Sequence, residues 1–548
     1  MTSLYEDGNP KAPILFLAEA PSFLEQRMNK PLVGPSGEVF NDCLHQAGLV
    51  RHNSYILNVW EFQVSKDVAG NIYQRLPSGL GPLLFHDKKG FTAIGLEYAQ
   101  NTLRRIRQSE CNTIIAMGKP AMSLCTGDVR SIIKWRGSII EGVERVGKKR
   151  VVITFHPAAT LHGVYTWRYL IIADFQKAQA TMGKPNMGID PRKLIIGPSF
   201  SDIVEYLNIG KTKERLATDL EVINHQTSCF CMCYDPVEVM TIPIGDEFGN
   251  PLWSEVQEIQ IWKLYAELMG DPNIDKINQN LIGFDVPFLL QQNNIYTRGF
   301  LGDTMIAQKI MYPDFKKGLD FICSIRTNEP YYKDEGKMWK GMGGDIEQFW
   351  RYCAKDGSVA LEAWNDMEEE MTTDGYWPTY NMVARLSNPL QYMTLRGMRV
   401  DHDRLHSTHE RISAELLVKE NELNEVAEVP FNPGSPKQCQ QYFYGLKGIT
   451  PYKNGAGGIT TDDKAMARIY RRFNLPEAKL VQEIRALRKL KGTYLEVAFD
   501  KDGRLRCSWD PTGTWTGRLS SSQTVFDTGM NMQNLHPEFK HFLVADYD

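Results

Sequence analysis

Glycine and proline collect in residues 182–192 (MGKPNMGIDPR) between two regions of regular patterning, so a chain with this linker cannot fold around a single core. At roughly 150 residues per domain, 548 residues predict about three or four domains. Before the linker, apolar β-rich runs recur at 14–17, 55–57, 113–116 and 151–155 with helical periodicity between them, the pattern of a parallel α/β sheet. From 193 to about 375 the reading is again α/β, with strand-like 215–223 and 227–234 and helix-like 257–269 and 346–369. After Asn381 the chain turns mainly helical, with a glycine-rich turn at 454–458 and an amphipathic helix over 477–498 before β-like stretches return. The expected domains are therefore 1–182, 193–375 and 381–548. The last run, 542–548 (FLVADYD), reads as a core strand followed by no turn or cap, so the chain is expected to stop in mid-domain.

Lys+Arg 62 against Asp+Glu 66 leaves a formal charge of −4, so any nucleic-acid surface must be local. With 42% hydrophobic and 23% charged residues, the composition sets aside collagen-like, disordered and membrane classes. The N-terminus is polar, and no apolar run approaches the roughly 18 residues of a membrane span, so a cytoplasmic protein is expected. Ten cysteines without a C-x-x-C pair fit a reduced compartment. Cys229, Cys231 and Cys233 alternate as one buried strand face would, a closer spacing than structural zinc pairs favour. No Walker loop or dinucleotide-binding glycine motif occurs, which argues against NTP hydrolysis and NAD chemistry.

In the first segment a polar or special residue follows each apolar run: Glu19, Asn58, Gly118 and His156. In a parallel sheet these positions gather along the carboxyl edge, where open α/β folds place their ligands, although Glu19 and His156 alone also suit turns bonded to backbone. The runs AEAPSFLEQ (18–26), KPLVGPSG (30–37), YILNV (55–59), IIAMGKPAM (114–122) and TFHPAATL (154–161) resemble the uracil-DNA glycosylase superfamily, closest to the branch that carries an iron–sulfur cluster. The resemblance implies that Asn58 reads a flipped uracil edge, that His156 stabilises the departing anion, and that Glu19 or Glu25 orients water. Ala18 and Ser22 stand where the family has glycine, and Leu32 replaces a base-stacking phenylalanine. Cys43, Cys111 and Cys125 do not occupy the cluster positions, so no iron–sulfur cluster is expected. Two readings stay open: a glycosylase of altered base preference, or a retained fold that binds DNA or a partner.

In the second segment Asp219 and Glu221 lie two apart in a strand-like run, so both carboxylates face one side. Asp285 precedes an apolar helical stretch, and Tyr352 and Asp356 are four apart on one helix face. Brought together, Asp219, Glu221, Asp285 and Asp356 would hold two divalent metal ions, Mg²⁺ or Mn²⁺, with Tyr352 orienting the attacking water. In this order the motifs resemble the DnaQ-like 3′–5′ exonucleases, with a ribonuclease H-like fold, and the likeness extends through 302–311 and 318–322. Asn280 lies five residues before Asp285, where the family A pattern has four.

In the third segment Arg485, Arg488, Lys489 and Lys491 crowd one region of a helix, the composition of a phosphate-tracking surface or of a solvated face. RGMRVD (396–401), FNPGSPKQ (431–438), TGTWTGRLSSS (512–522), NMQN (531–534) and FLVADYD resemble the family A DNA polymerases from thumb to first palm motif. The resemblance implies primer–template contacts at Thr516, Arg518 and Gln533 and makes Asp546 the first metal-binding carboxylate of nucleotidyl transfer. The family motif continues past Tyr547 to a glutamate, so this chain alone is expected not to polymerise and a separately encoded C-terminal polymerase part is the expected partner, alongside DNA as primer–template and single-stranded 3′ end. The whole series resembles the polymerases of some large tailed phages, implying a bacterial host cytoplasm. Its leading reading is the N-terminal part of a family A DNA polymerase with a proofreading exonuclease. The alternatives are a uracil or modified-uracil glycosylase and a non-catalytic DNA-binding scaffold.

Overall fold

The computed structural model describes residues 6–62, 85–86, 90–184, 188–189, 191–336 and 344–546; the linker positions 185–187 and 190, and Tyr547 and Asp548, lie outside it. The chain divides into two compact units, Met1–Ala384 and Arg385–Asp548.

The first sheet of the larger unit comprises β1 (Glu6–Gly8), β2 (Ile14–Ala18), β3 (Tyr55–Asn58), β4 (Thr113–Met117), β5 (Ile139–Glu141) and β6 (Arg150–Thr154), in the order β1-β3-β2-β4-β6-β5. The four central strands are parallel and the two edges antiparallel. Every residue of those four strands is buried, which is why they read as unbroken apolar runs rather than alternating ones. Helices α1 (Phe23–Met28), α2 (Pro35–Gln46) and α3 (Trp167–Thr181) flank the sheet, and Phe16, Phe40 and Phe175 meet edge to face between them. The last strand ends at Thr154; Phe155 leaves the ladder and stacks on Trp167, ring centroids 4.0 Å apart.

The second sheet comprises β7 (Lys193–Ile195), β8 (Arg215–Ile223), β9 (Gln226–Asp235), β10 (Glu238–Pro243), β11 (Asp275–Asn278) and β12 (Leu301–Asp303), in the order β12-β11-β8-β9-β10-β7. An antiparallel meander β8-β9-β10 carries parallel β11 and β12 on one side, as expected of a ribonuclease H-like sheet. Helices α4 (Glu255–Gly270), α5 (Val286–Asn293), α6 (Leu319–Arg326) and the 28-residue α7 (Ile346–Thr373) pack around it. Cys229, Cys231 and Cys233 are fully buried beneath α7, the apolar strand face read from their alternation. The helix can approach because Gly357 lacks a side chain: a Cβ there would lie 2.4 Å from Cys231 Sγ. Gly357→Val should therefore destabilise this unit by about 3 kcal/mol despite the better helix propensity, measurable by chemical denaturation. An unchanged midpoint would mean that the helix lifts freely.

Helix α8 (Trp377–Arg385) stays with the larger unit beyond the expected boundary at 375, because Tyr380 Oη donates to Leu301 O at 2.7 Å and accepts from Asp303 N at 2.7 Å. In the smaller unit α9 (Ser387–Arg396), α10 (His402–Val426), α11 (Asp463–Phe473) and α12 (Pro476–Lys489) dominate. The helix expected to reach 498 ends with one wide turn at Leu490–Leu495. Of the expected strand 542–548, the described residues pair only at Leu543–Val544, opposite Arg399–Val400, and Tyr547 and Asp548 lie outside the described residues. Among the described residues no helix is long and apolar enough to cross a membrane.

Candidate active site

The pleat of β8 turns Asp219 and Glu221 to one face, opposite Cys231 and Cys229 of β9, and α7 crosses that face with Tyr352 and Asp356 one turn apart. Carboxylate oxygens of Asp219, Glu221 and Asp356 lie within 4.8 Å of one another, the one group of three or more metal-capable side chains among the described residues. Asp285 joins them through an intermediary. Asn278, at the end of β11, donates from Nδ2 to Asp219 Oδ1 at 2.9 Å and to Asp285 Oδ1 at 3.3 Å.

Residues Leu281–Asp285 form a single π turn, which absorbs the extra residue between Asn280 and Asp285. Asn280 opens that turn in the left-handed region, φ 61°, and its backbone N–H bonds Asp303 Oδ1 at 3.1 Å. The amide that touches the acids is Asn278, two residues upstream of Asn280, the residue expected from the family resemblance to contact DNA.

Burial raises the Asp219 carboxyl well above its usual range, and Asp356, Asp285 and Glu221 add to the rise. Burial likewise raises Asp285, which is 2% exposed. Burial and then Asp356 raise the Tyr352 phenol, so it keeps its proton. Two residues from the preceding loop complete the nest: Tyr332 Oη donates to Asp356 Oδ1 at 2.7 Å, and Lys333 pairs with Asp356 Oδ2. The donor set is all carboxylate oxygen, gathered against its own repulsion, and fits a hard divalent cation such as Mg²⁺ or Mn²⁺.

At the carboxyl edge of the first sheet, Asn58 is 3% exposed and its Nδ2 has no hydrogen-bond partner among the described residues. His156 caps the following turn, its Nδ1 accepting from Ala158 N at 3.2 Å, which places the ring proton on Nε2. Gly118, at φ 88°, lets the turn after β4 approach His156: a Cβ there would lie 3.2 Å from His156 Cβ. Glu19 is half-buried and directly follows β2. Glu25 is not available to orient water, because its two oxygens accept from the backbone N–H groups of Ser22 and Leu32 and close the capping box of α1. Leu32 itself is buried.

In the smaller unit Asp546 lies between Arg504 and Arg396, at 2.8 and 3.0 Å, and these bonds, Arg504 first, hold its carboxyl below the usual range. The expected phosphate-tracking arginines point elsewhere. Arg485 donates to Pro433 O at 2.7 Å and Thr461 O at 2.6 Å, while Arg488 bonds Glu420 and Asn432, so both guanidinium groups brace α12 against its neighbours. Lys489 is exposed and Lys491 lies 3.9 Å from Glu496. Thr516 and Arg518 are exposed, and Gln533 Nε2 donates to Leu519 O at 2.8 Å. Asn278, Tyr332 and Lys333 escaped the sequence reading. A second asparagine in the INQN run was the one local hint, and only for Asn278.

A ribonuclease H-like sheet with an acid nest under a long helix defines the class of 3′–5′ exonuclease domains, and residues 201–372 match the 3′–5′ exonuclease family. Residues 5–170 match the uracil DNA glycosylase superfamily and residues 402–541 match DNA polymerase family A. The curated relatives are DNA polymerases I. That of Synechocystis sp. is 27% identical over 316 residues, 55% of this chain and 30% of the relative. That of Chloroflexus aurantiacus is 24% identical over 407 residues, 69% and 40%, and the thermostable one of Thermus filiformis 32% over 163 residues, 28% and 19%. The chain spans less than half the length of these relatives. The POL domain of Pol1 from M. smegmatis, solved with DNA primer-template and dNTP, aligns with a TM-score of 0.44 and 18% identity, covering 63% of this chain and 56% of that chain. The chain thus carries, in order, a uracil DNA glycosylase superfamily region, a 3′–5′ exonuclease region and a family A DNA polymerase region.

Proposed function

We propose that this chain is a DNA replication protein whose first unit hydrolyses DNA from the 3′ end, proofreading for a family A DNA polymerase. The carrying observation is the convergence of Asp219, Glu221 and Asp356 within 4.8 Å, with Asp285 tied in through Asn278. Two bound divalent ions would supply an activated water and neutralise charge on the scissile phosphate. Asp219, Glu221 and Asp356 would hold metal together, with Asp285 as a further carboxylate ligand. Asn278 fixes the two aspartates against each other. Tyr352, protonated and one turn from Asp356, orients the attacking water by its hydroxyl. The substrate is a single-stranded 3′ end. Primer–template belongs to the second unit, where Thr516, Arg518, Gln533 and Lys489 offer polar contacts and Asp546 is the acid for nucleotidyl transfer once released from Arg504 and Arg396.

Incubating the chain with a 5′-labelled primer and Mg²⁺ tests the proposal: stepwise shortening is expected, whereas DNA bound but left intact would reduce the chain to a scaffold. The unpaired Asn58 Nδ2 favours a second reading, recognition of a base edge by the first domain. Alkali-labile sites in uracil-containing DNA, lost in Asn58→Ala, are its expected signature; uncut DNA would leave this domain without glycosylase chemistry.

A further inference from the structure

The acid nest holds a cation of its own. Lys333 pairs with Asp356 Oδ2, donates to Tyr352 Oη at 2.7 Å and lies 4.7 Å from the centre of the Tyr352 ring, while Tyr332 takes the other Asp356 oxygen. Two consecutive residues of one loop thus occupy both oxygens of an acid that the exonuclease reading assigns to metal. The Lys333 side chain is 19% exposed, so solvent screens the pair weakly.

The same loop is held from behind by the glycosylase-like part of the unit. Lys134 Nζ lies 2.7 Å from Asp334 Oδ1, the Trp135 and Tyr331 rings are 5.6 Å apart, and Tyr331 N donates to Ser138 Oγ at 3.0 Å. Residues on both sides of Tyr332 and Lys333 are therefore anchored to the first domain.

We propose that Lys333 is a built-in competitor for the divalent ion at Asp356, and that the glycosylase-like domain sets the strength of that competition by holding its loop. The inference rests on the exonuclease reading above. Without metal, the ammonium compensates carboxylates that would otherwise repel one another. When metal arrives, Asp356 must release the ammonium, so part of the binding free energy goes into breaking that pair. A unit charge fixed about 4 Å away, at an effective dielectric near 20, would weaken binding of a second cation by about 10³-fold, and a lysine free to swing towards solvent as metal binds reduces this to about tenfold. A glycosylase-like domain without base chemistry would still have work in this chain, tuning the metal requirement of its neighbour.

Mn²⁺ titration of the full chain, followed by the loss of its free paramagnetic signal, tests this together with melting in EDTA. Lys333→Met is expected to bind Mn²⁺ about tenfold more tightly while its metal-free form melts earlier. Lys333→Arg, which keeps the charge, is expected to retain wild-type affinity. Lys134→Ala combined with Trp135→Ala should tighten Mn²⁺ binding by about threefold, in the same direction. A lysine that merely supports the fold would lower the melting temperature and leave Mn²⁺ affinity unchanged or weaker, which overturns the proposal. If Lys333→Met tightens binding and the double variant does not, control by the first domain is overturned. Wild-type protein showing no Mn²⁺ binding that Asp219→Asn removes would overturn the exonuclease reading itself, and this inference with it.

Discussion

Asp219→Asn is expected to slow 3′ shortening of a primer by about 10³-fold or more and, in the absence of metal, to raise the melting temperature. The first effect follows from losing a charged oxygen of the acid group that would hold the catalytic metal on the proposed reading, a deficit of several kcal/mol in stabilising the charge that develops on phosphate. The second follows from the electrostatics of the empty nest. Burial and three neighbouring acids hold the folded-state pKa of Asp219 above its unfolded value. A group raised on folding contributes stability that is full below the unfolded pKa, near 4, and is lost as pH rises through the folded value. Above the folded value the metal-free fold carries a charge that burial and the neighbouring acids disfavour, and an isosteric neutral amide removes it while still accepting from Asn278. The gain is expected as a higher melting temperature of the variant in EDTA, larger at pH 8 than at pH 5. Mg²⁺ should reverse the order, stabilising the wild type and not the variant, and more at pH 8 than at pH 5. A variant that melts lower than wild type in EDTA at pH 8 would contradict the repulsion argument.

Arg136→Met should cost about 3–5 kcal/mol, the loss expected when one partner of a buried ion pair is removed. Arg136 is 2% exposed and Asp174 1%; their bond measures 2.8 Å, and Thr154 Oγ1 donates to the second Asp174 oxygen at 2.7 Å. Arg136 also reaches Ser324 Oγ of α6, so the pair sits where the two sheets' helices meet. Lys177 fastens the same seam, donating to the carbonyls of Gly137, Ser324 and Thr327, and burial pulls its ammonium down to about 8. Without the guanidinium, Asp174 is left charged in an apolar interface or must take up a proton. Arg136→Met with Asp174→Leu should recover most of the loss, since replacing both charges removes the stranded one. Chemical denaturation measures both. A single-variant loss below about 1 kcal/mol, the range of an exposed pair, would mean that water reaches the site.

Much of this architecture was legible in the chain. The four central strands of the first sheet appear as apolar runs because both faces are covered, and the runs end within about a residue of the observed strands. Asp219 and Glu221 could be placed on one face from a period of two, and Tyr352 with Asp356 from a period near four, since both periods are properties of the local backbone. The same logic gave no sign of the partners of Arg485 and Arg488 within the fold. A cluster of basic residues on a helix carries no record of which carbonyls and carboxylates lie opposite, and here Pro433, Thr461 and Glu420 do.

Local spacing settled which acids could act together, because strand pleat and helix pitch repeat over a few residues. Tertiary packing alone decided that Asn278 rather than Asn280 bridges two of them, since a π turn rotates the intervening residues. It alone also decided that Lys333 enters the nest: its partners Tyr352 and Asp356 lie 19 and 23 residues away in the chain, and its loop is held by Lys134 and Trp135 some 200 residues earlier. Pairings across such separations are set by how sheets and helices stack, and no periodicity in the sequence encodes them.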